Sequence, residues 1–253
     1  MIGSLTLGAL MIFPSNMIAI LLPTLSVVDL ANFLNSIGAK IEGAGTDEIH
    51  ITGVAELKGG DCFIPSDRIE AGTYLAAATL TNGCITINKV DPNRLENILS
   101  KLRLCGADIK TTKESVSIEM NSDINPVDIQ TQPFPGFPTD MQAQFTVINA
   151  LSKGSSVITE NVFENRFMHV QELVRMGCNI SIQGKNAFIQ GVKAITGAQV
   201  MATDLRASAC LILAGLCAEG ETIVDRIYHI DRGYERIEEK LSYLGANIVR
   251  LPK

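Results

Sequence analysis

The sequence contains no tryptophan, and both aromatic residues and histidine are scarce. Of its 253 residues, 5% are aromatic and three are histidines. Six cysteines are present, but none forms a Cys-x-x-Cys pair and no run of histidines accompanies them. Structural zinc sites use Cys and His ligands at short spacings, so we expect no metal. Nothing in the sequence indicates another cofactor either.

The cysteines instead occur mainly in apolar runs. Cys105, Cys210 and Cys217 lie in stretches with helical periodicity, where a free cysteine behaves as a small hydrophobic residue. Free cysteines of this kind are typical of a reducing compartment, so we expect a cytoplasmic protein.

Positive charge is scarce as well. The chain has 21 Lys and Arg against 27 Asp and Glu, a net charge of −6 and a pI of about 5.2. No basic patch stands out, so we expect no nucleic-acid partner. A net negative charge is still compatible with a local basic pocket that binds a small anion.

Residues 1–27 carry no charge at all. A signal peptide would need a basic region before its apolar core, and that region is missing. A membrane span needs about 20 continuous apolar residues, whereas Pro14 and Pro23 interrupt this stretch. We therefore expect no membrane partner.

A short pattern recurs four times along the chain. The copies read IGAKI, CGADI, MGCNI and LGANI, and their glycines are Gly38, Gly106, Gly177 and Gly245. A spacing of about 70 residues indicates one supersecondary unit used repeatedly.

Each repeat is predicted to have the order β-α-β-α-β-β. Its first helix is apolar nearly all round, as in Ile69–Leu80, Met141–Leu151 and Ala207–Ala218. Its second helix is amphipathic and ends at the repeated glycine. A helix that is apolar on every side must be buried, so the predicted fold class is α/β with helices inside and sheets outside.

The predicted domains follow from this repeat. Residues 61–253 hold three complete repeats, beginning with a strand at Cys62–Ile64. Residues 28–60 are the later part of an earlier repeat, with a helix at Asp29–Ile37 and two strands within Lys40–Ile51. The inner helix and strand that should precede them are not recognisable in residues 1–27, which we interpret as a non-matching apolar segment.

Four long motifs connect this repeat to a known family. They are PFPGFPTDMQAQF (Pro133–Phe145), ENVFENRFMHV (Glu160–Val170), QVMATDLRASA (Gln199–Ala209) and RIYHIDRGYERIEEKL (Arg226–Leu241). With the weaker SDRIEAGTYL, they resemble the UDP-N-acetylglucosamine 1-carboxyvinyltransferases, a family of enolpyruvyl transferases. The resemblance covers Val28 to about Arg250. It implies an inside-out α/β barrel fold with two domains of three repeats, whose helix N-termini point into the cleft between them.

The resemblance also implies an activity. The family transfers the enolpyruvyl group of phosphoenolpyruvate to the 3′-hydroxyl of UDP-N-acetylglucosamine and releases phosphate. This is the first committed step of peptidoglycan synthesis, and it links the family to cell wall biogenesis, cell shape and cell division. The implied partners are the two small-molecule substrates.

Asp140 is the first candidate catalytic residue. The resemblance implies that it contacts the sugar 3′-hydroxyl and acts as the general base that the alcohol needs. The alternative is a helix N-cap, a position at which aspartate is favoured.

Three arginines are candidate anion ligands. The resemblance implies that Arg206 and Arg232 hold the phosphate or carboxylate of phosphoenolpyruvate. Arg232 is also a candidate catalytic residue. Arg166 is a weaker candidate of the same kind. Arginine suits this role because it forms paired, charge-assisted hydrogen bonds. The alternatives for Arg206 and Arg232 are local ion pairs with Asp204 and Asp231.

Two further residues are candidates for contact with the sugar nucleotide. Val162 corresponds to a family position that contacts it, and Phe163 could pack beside it. The alternative for both is core packing at the end of a strand. Asp67, in the weaker motif, is interpreted as a helix N-cap.

Several features of the family have no match in this sequence. They are a Lys-Asn pair, an arginine and a loop cysteine that acts as a general acid, all in the first domain. We therefore expect a fragment, from a gene truncated or shifted in frame before codon 28, that is inactive by itself. The alternative function is a non-catalytic remnant with residual anion or sugar-nucleotide binding. An exposed sheet edge would favour self-association.

Overall fold

The computed structural model describes residues 17–20 and 25–251. They belong to two compact units. The first unit comprises the described residues up to Pro65 together with Gln132–Gly136. The second comprises Ser66–Thr131 and the chain from Phe137 onward.

The first unit is a small antiparallel sheet with one helix. Its elements are β1 (Met17–Ile20), α1 (Leu25–Ser36), β2 (Lys40–Glu42) and β3 (Glu48–Thr52), with strand order β1-β3-β2. Alternate residues of the hairpin are apolar, so Ile41, Ile49 and Ile51 all face one side and are buried. They pack with Ala31 and Leu34 of α1 as a separate core.

Strand β1 corrects the prediction that no strand of the repeat precedes Asp29. Met17 lies opposite Ile51 and Ile20 lies opposite Glu48, in antiparallel register. This is the place that the corresponding strand takes in the later repeats. The prediction that no inner helix precedes this strand falls on residues 1–16, which lie outside the described residues.

The second unit contains the later repeats. The first of them has α2 (Arg68–Leu80), β4 (Cys84–Asn88), α3 (Glu96–Leu104), β5 (Asp108–Thr111) and β6 (Ser115–Glu119). The next has β7 (Ile129–Gln130), α4 (Gln142–Ala150), β8 (Ser155–Thr159), α5 (Met168–Arg175), β9 (Asn179–Gln183) and β10 (Asn186–Gln190). The last has β11 (Gln199–Met201), α6 (Leu205–Cys217), β12 (Ile223–Asp225) and α7 (Ile237–Tyr243). Their sheets have the orders β4-β6-β5, β7-β8-β10-β9 and β11-β12.

The middle repeat has the full predicted order, whereas its two neighbours do not. Cys62–Ile64 is not a strand, and Phe63 and Ile64 are 89% and 82% exposed. After α7, no strand occurs in the described residues up to 251. The prediction of three complete repeats was therefore wrong at these two places. The α/β fold class itself is confirmed.

Helices α2, α4 and α6 pack against one another at the centre of the second unit. Every residue of α4 is buried, including polar ones. Asn149 is satisfied by two hydrogen bonds with the backbone of Val127, at 2.9 and 3.0 Å. The prediction of buried inner helices is confirmed.

The repeated glycines end the amphipathic helices. All four have positive φ, between 98° and 108°. After Gly106, the amide of Ala107 donates to the carbonyl of Leu102, and after Gly177 the amide of Cys178 donates to that of Leu173. This is the Schellman pattern, in which a left-handed residue is required, and glycine adopts that conformation without steric cost. None of the described helices is long and apolar enough to cross a bilayer.

Candidate active site

Asp140 lies in the turn that leads into α4. The turn is a 3₁₀ helix, Thr139–Met141, in which Asp140 makes no capping hydrogen bond. The N-cap interpretation of Asp140 is therefore wrong. By contrast, Asp67 does cap α2, because its carboxylate accepts from the amides of Ile69 and Glu70 at 2.7 and 3.1 Å.

The Asp140 carboxylate instead lies between two guanidinium groups. Arg166 Nη2 donates to Oδ1 at 2.6 Å, and Arg206 Nη2 donates to Oδ2 at 2.8 Å. Burial alone raises the pKa of Asp140, but the charges and hydrogen bonds of Arg206 and Arg166 outweigh it and leave the pKa below its usual value. Asp140 is therefore an ionised carboxylate at neutral pH.

Arg206 reaches Asp140 from the first turn of α6. The turn is capped by Asp204, whose carboxylate accepts from the amides of Arg206 and Ala207 at 2.7 and 2.9 Å. The Arg206 guanidinium therefore pairs with Asp140, while Asp204 binds the backbone. Burial lowers the pKa of Arg206, but the charges and hydrogen bonds of Asp140 and Tyr234 together outweigh burial and raise the pKa.

A buried polar network supports Arg206 from behind. Arg206 Nη1 donates to the Tyr234 hydroxyl at 3.3 Å, and that hydroxyl lies 2.9 Å from Thr73 Oγ1. Gln144 Nε2 donates to the same Thr73 oxygen at 3.0 Å. These side chains belong to α2, α4 and the segment before α7, so residues from all three repeats of the second unit fix one cation.

Arg166 and Phe163 lie in the loop after β8. Arg166 Nη1 donates to Thr139 Oγ1 at 2.6 Å, and its guanidinium carbon lies 4.9 Å from the centroid of the Phe163 ring. Phe163 is 56% exposed, so the core-packing interpretation is wrong for this residue. Val162 is half-buried beside it.

Arg232 is not part of this cluster. It ends the 3₁₀ helix Ile227–Arg232 and is exposed. In the described part of the chain, no hydrogen bond or ion pair joins it to Asp140. Its neighbour Asp231 pairs with Arg250, with both carboxylate oxygens accepting at 2.7 and 3.0 Å. The structure thus brings Asp140, Arg166 and Arg206 together and leaves Arg232 apart.

Two participants were missed by the sequence analysis. Tyr234 is buried behind Arg206, and only its position in the DRGYE string gave a signal. Arg68, the first residue of α2, is half-buried and close enough to Asp140 for their charges to interact. Burial lowers the pKa of Arg68, and the charge of Asp140 opposes that shift. Its motif had drawn attention to Asp67 instead.

The described residues contain no group of three or more His, Cys, Asp or Glu side chains that could hold a metal ion. The buried cysteines are packed among apolar side chains. Burial raises the pKa of Cys105 and of Cys178 to about 12, so both are neutral thiols.

Comparisons with known proteins place this chain in a family. A sequence model described as EPSP synthase (3-phosphoshikimate 1-carboxyvinyltransferase) matches residues 6–241, so the match begins within residues 1–27. A UDP-N-acetylglucosamine 1-carboxyvinyltransferase from Aeromonas hydrophila is 58% identical over 226 residues, which are 89% of this chain and 54% of that protein. The protein of the same name from Klebsiella pneumoniae is 57% identical with the same coverage. The chain spans about half the length of the curated relatives it matches.

Solved structures agree on the fold. The enolpyruvyl transferase NikO from Streptomyces tendae superimposes with a TM-score of 0.83 at 26% identity, over 94% of this chain and 57% of that one. An EPSP synthase from Acinetobacter baumannii shares the fold, with a TM-score of 0.65 at 17% identity, over 87% of this chain and 55% of that one. The chain belongs to the EPSP synthase family of enolpyruvyl transferases, and its curated relatives within that family are UDP-N-acetylglucosamine 1-carboxyvinyltransferases.

Proposed function

We propose that this chain carries the acceptor-activating part of an enolpyruvyl transferase that uses phosphoenolpyruvate and UDP-N-acetylglucosamine. The observation that carries the proposal is the ionised Asp140 held between Arg166 and Arg206. The names of relatives at 57–58% identity support the choice of substrates. A role in peptidoglycan synthesis in the cytoplasm belongs to the same proposal.

Asp140 is the proposed general base. The 3′-hydroxyl must lose its proton as its oxygen bonds to the enolpyruvyl carbon, while a proton adds to the neighbouring methylene carbon. Inorganic phosphate leaves when the methyl group so formed gives up a proton and the double bond is restored. Each oxygen of Asp140 accepts one guanidinium hydrogen bond and keeps capacity to accept from a sugar hydroxyl. The proton of the hydroxyl would pass to this carboxylate.

The arginines are proposed to hold the negative charges of the substrates. Arg206 lies in the first turn of α6, and its guanidinium can form paired, charge-assisted hydrogen bonds with a phosphate or carboxylate. Arg232 is exposed and has no ion-pair partner among the described residues, so a ligand phosphate would not have to displace a carboxylate from it. The exposed ring of Phe163, with Val162 beside it, provides an apolar surface for the sugar nucleotide.

We further propose that the 253-residue chain by itself binds without turnover. The chain aligns with about half of each curated relative, so these 253 residues do not themselves supply the groups in the other half of those proteins. Loss of one element of transition-state stabilisation costs about a hundredfold or more, and several would be lost together.

Calorimetric titration of the chain with UDP-N-acetylglucosamine, and in parallel with shikimate 3-phosphate, tests the substrate class. We expect measurable affinity for the sugar nucleotide and a loss of affinity in Asp140→Asn. Asp123→Asn is the matched control, because Asp123 is an exposed carboxylate paired with Lys153. Preference for shikimate 3-phosphate, or equal affinity in the two variants, would overturn the proposal.

A further inference from the structure

Glu160 is a buried carboxylate at the end of β8 with four hydrogen-bond donors. The residue is 3% exposed. Its Oε1 accepts from Thr131 Oγ1 at 2.7 Å and from the amides of Val162 and Phe163 at 2.9 and 3.1 Å. Its Oε2 accepts from Thr139 Oγ1 at 2.8 Å. One carboxylate thus binds the end of β7, the loop after β8 and the turn before α4.

Thr139 connects this carboxylate to Asp140. A hydroxyl has one proton, and Thr139 donates it to Glu160. The lone pairs of the same oxygen are therefore available to accept from Arg166 Nη1 at 2.6 Å. The second arm of that guanidinium donates to Asp140 at 2.6 Å. Glu160 sets the direction of the first hydrogen bond, because a carboxylate can only accept, and Arg166 sets the direction of the other two, because a guanidinium can only donate.

We infer that Glu160 is a positioning residue that orients Arg166 against Asp140 and holds Val162 and Phe163 in place for the sugar nucleotide. The inference rests on the proposed function for the identity of that ligand. Glu160 itself does not reach the ligand, because it is buried beneath the loop that it organises.

Stability alone does not account for this side chain. Burying a carboxylate is costly, and apolar replacements of buried charged groups are often neutral or stabilising. The donors of Glu160 come from the segments that carry the candidate base and the candidate sugar-nucleotide contacts. A glutamine at this position would keep the size, but it would present NH₂ to Thr139. The Thr139 proton would then have no acceptor, and the hydrogen bond to Arg166 would be disturbed.

The experiment compares Glu160→Gln, Thr139→Val and Thr139→Ser with the wild type. Glu164→Gln is the matched control, because it makes the same change at an exposed position of the same loop. The carboxyl carbon of Asp140 is titrated by NMR in the free chain, and UDP-N-acetylglucosamine binding is measured by calorimetry.

We expect Asp140 to titrate at higher pH in Glu160→Gln and in Thr139→Val, because Arg166 then pairs with it less well. Thr139→Ser, which keeps the hydroxyl, and Glu164→Gln should titrate like the wild type. Affinity for the sugar nucleotide should fall roughly tenfold in Glu160→Gln and Thr139→Val, the effect of one hydrogen bond to a charged group.

An unchanged Asp140 titration in Thr139→Val would overturn the inference, even if Glu160→Gln failed to fold. A merely structural Glu160 would lower the unfolding free energy of Glu160→Gln without moving the Asp140 titration in that same variant. Absence of sugar-nucleotide binding by the wild type would refute the proposed function instead. In that case the titrations would still decide whether Glu160 orients Arg166.

Discussion

Replacing Arg206 with alanine tests whether the Asp140 cluster stabilises the folded chain. The Arg206 side chain is 14% exposed and Asp140 is 37% exposed. Breaking a fully buried ion pair costs about 3–5 kcal/mol, whereas exposed pairs contribute about 0–1 kcal/mol. This pair is partly screened by solvent, and Asp140 keeps Arg166 as a partner. We therefore expect Arg206→Ala to lower the unfolding free energy by about 2 kcal/mol at pH 7.

Arg103→Ala is the matched control for this substitution. Arg103 Nη1 also donates to a carboxylate, that of Glu96, at the same 2.8 Å, but the two side chains are 39% and 57% exposed. We expect a loss of less than about 1 kcal/mol from this pair. Because the chain has no tryptophan, urea unfolding is followed by far-UV circular dichroism.

The effect of Arg206→Ala should depend on pH with a definite sign. The pKa of Asp140 is lowered in the folded chain, so the stabilisation is complete above the unfolded value of about 3.9. It is lost as the pH falls through the lower, folded value. The difference between wild type and Arg206→Ala should therefore shrink in acid. A loss no larger than that of Arg103→Ala, or one that is constant with pH, would refute the reasoning.

Further outcomes are expected in other parts of the chain. Phe145→Ala should cost about 3–5 kcal/mol in urea unfolding, because the ring is fully buried edge-on against Phe137, while Phe63→Ala should cost almost nothing. Arg232→Ala should weaken phosphate binding in calorimetry, as should added salt, and unchanged affinity would remove this residue from the site. Limited proteolysis should cut the chain in the segment before Asp61 and leave Asp61–Lys253 more resistant. Light scattering should show self-association. Uniform protection in a monodisperse monomer would contradict this last expectation.

The repeat was predictable because its signals are local. Each copy needs a glycine in the left-handed conformation after its amphipathic helix, so Gly106 and Gly177 mark the same helix end in two successive repeats. Strand β1 could not be recognised, because four apolar residues without alternating polar ones carry no period. Its pairing with β3 identifies it. The strand predicted at Cys62–Ile64 does not form, for the opposite reason. Its residues have β propensity but no partner strand with which to form a sheet.

The cluster around Asp140 was only partly predictable. The family resemblance selected Asp140, Arg166 and Arg206, but local rules offered Asp140 a capping role and Arg206 a nearer partner, Asp204. Asp204 satisfies the amides of its own helix, so the Arg206 guanidinium is available to a residue 66 positions away. Contacts at such sequence separations follow from the packing of the inner helices, which residue spacing does not specify.

The arrangement around Asp140 has a consequence for the timing of the proposed reaction. A carboxylate that accepts from two guanidinium groups is a weak base. Phosphoenolpyruvate is an anion, and if it bound at Arg206 it would compete with Asp140 for the N–H groups of that guanidinium. Asp140 would then pair less well with Arg206, and weaker pairing raises the pKa of the carboxylate. The hydroxyl of Tyr234 keeps the guanidinium in place during such an exchange, because it binds the other nitrogen. The ion pair between Arg206 and Asp140, which stabilises the free chain, would therefore keep Asp140 a weak base until phosphoenolpyruvate is bound.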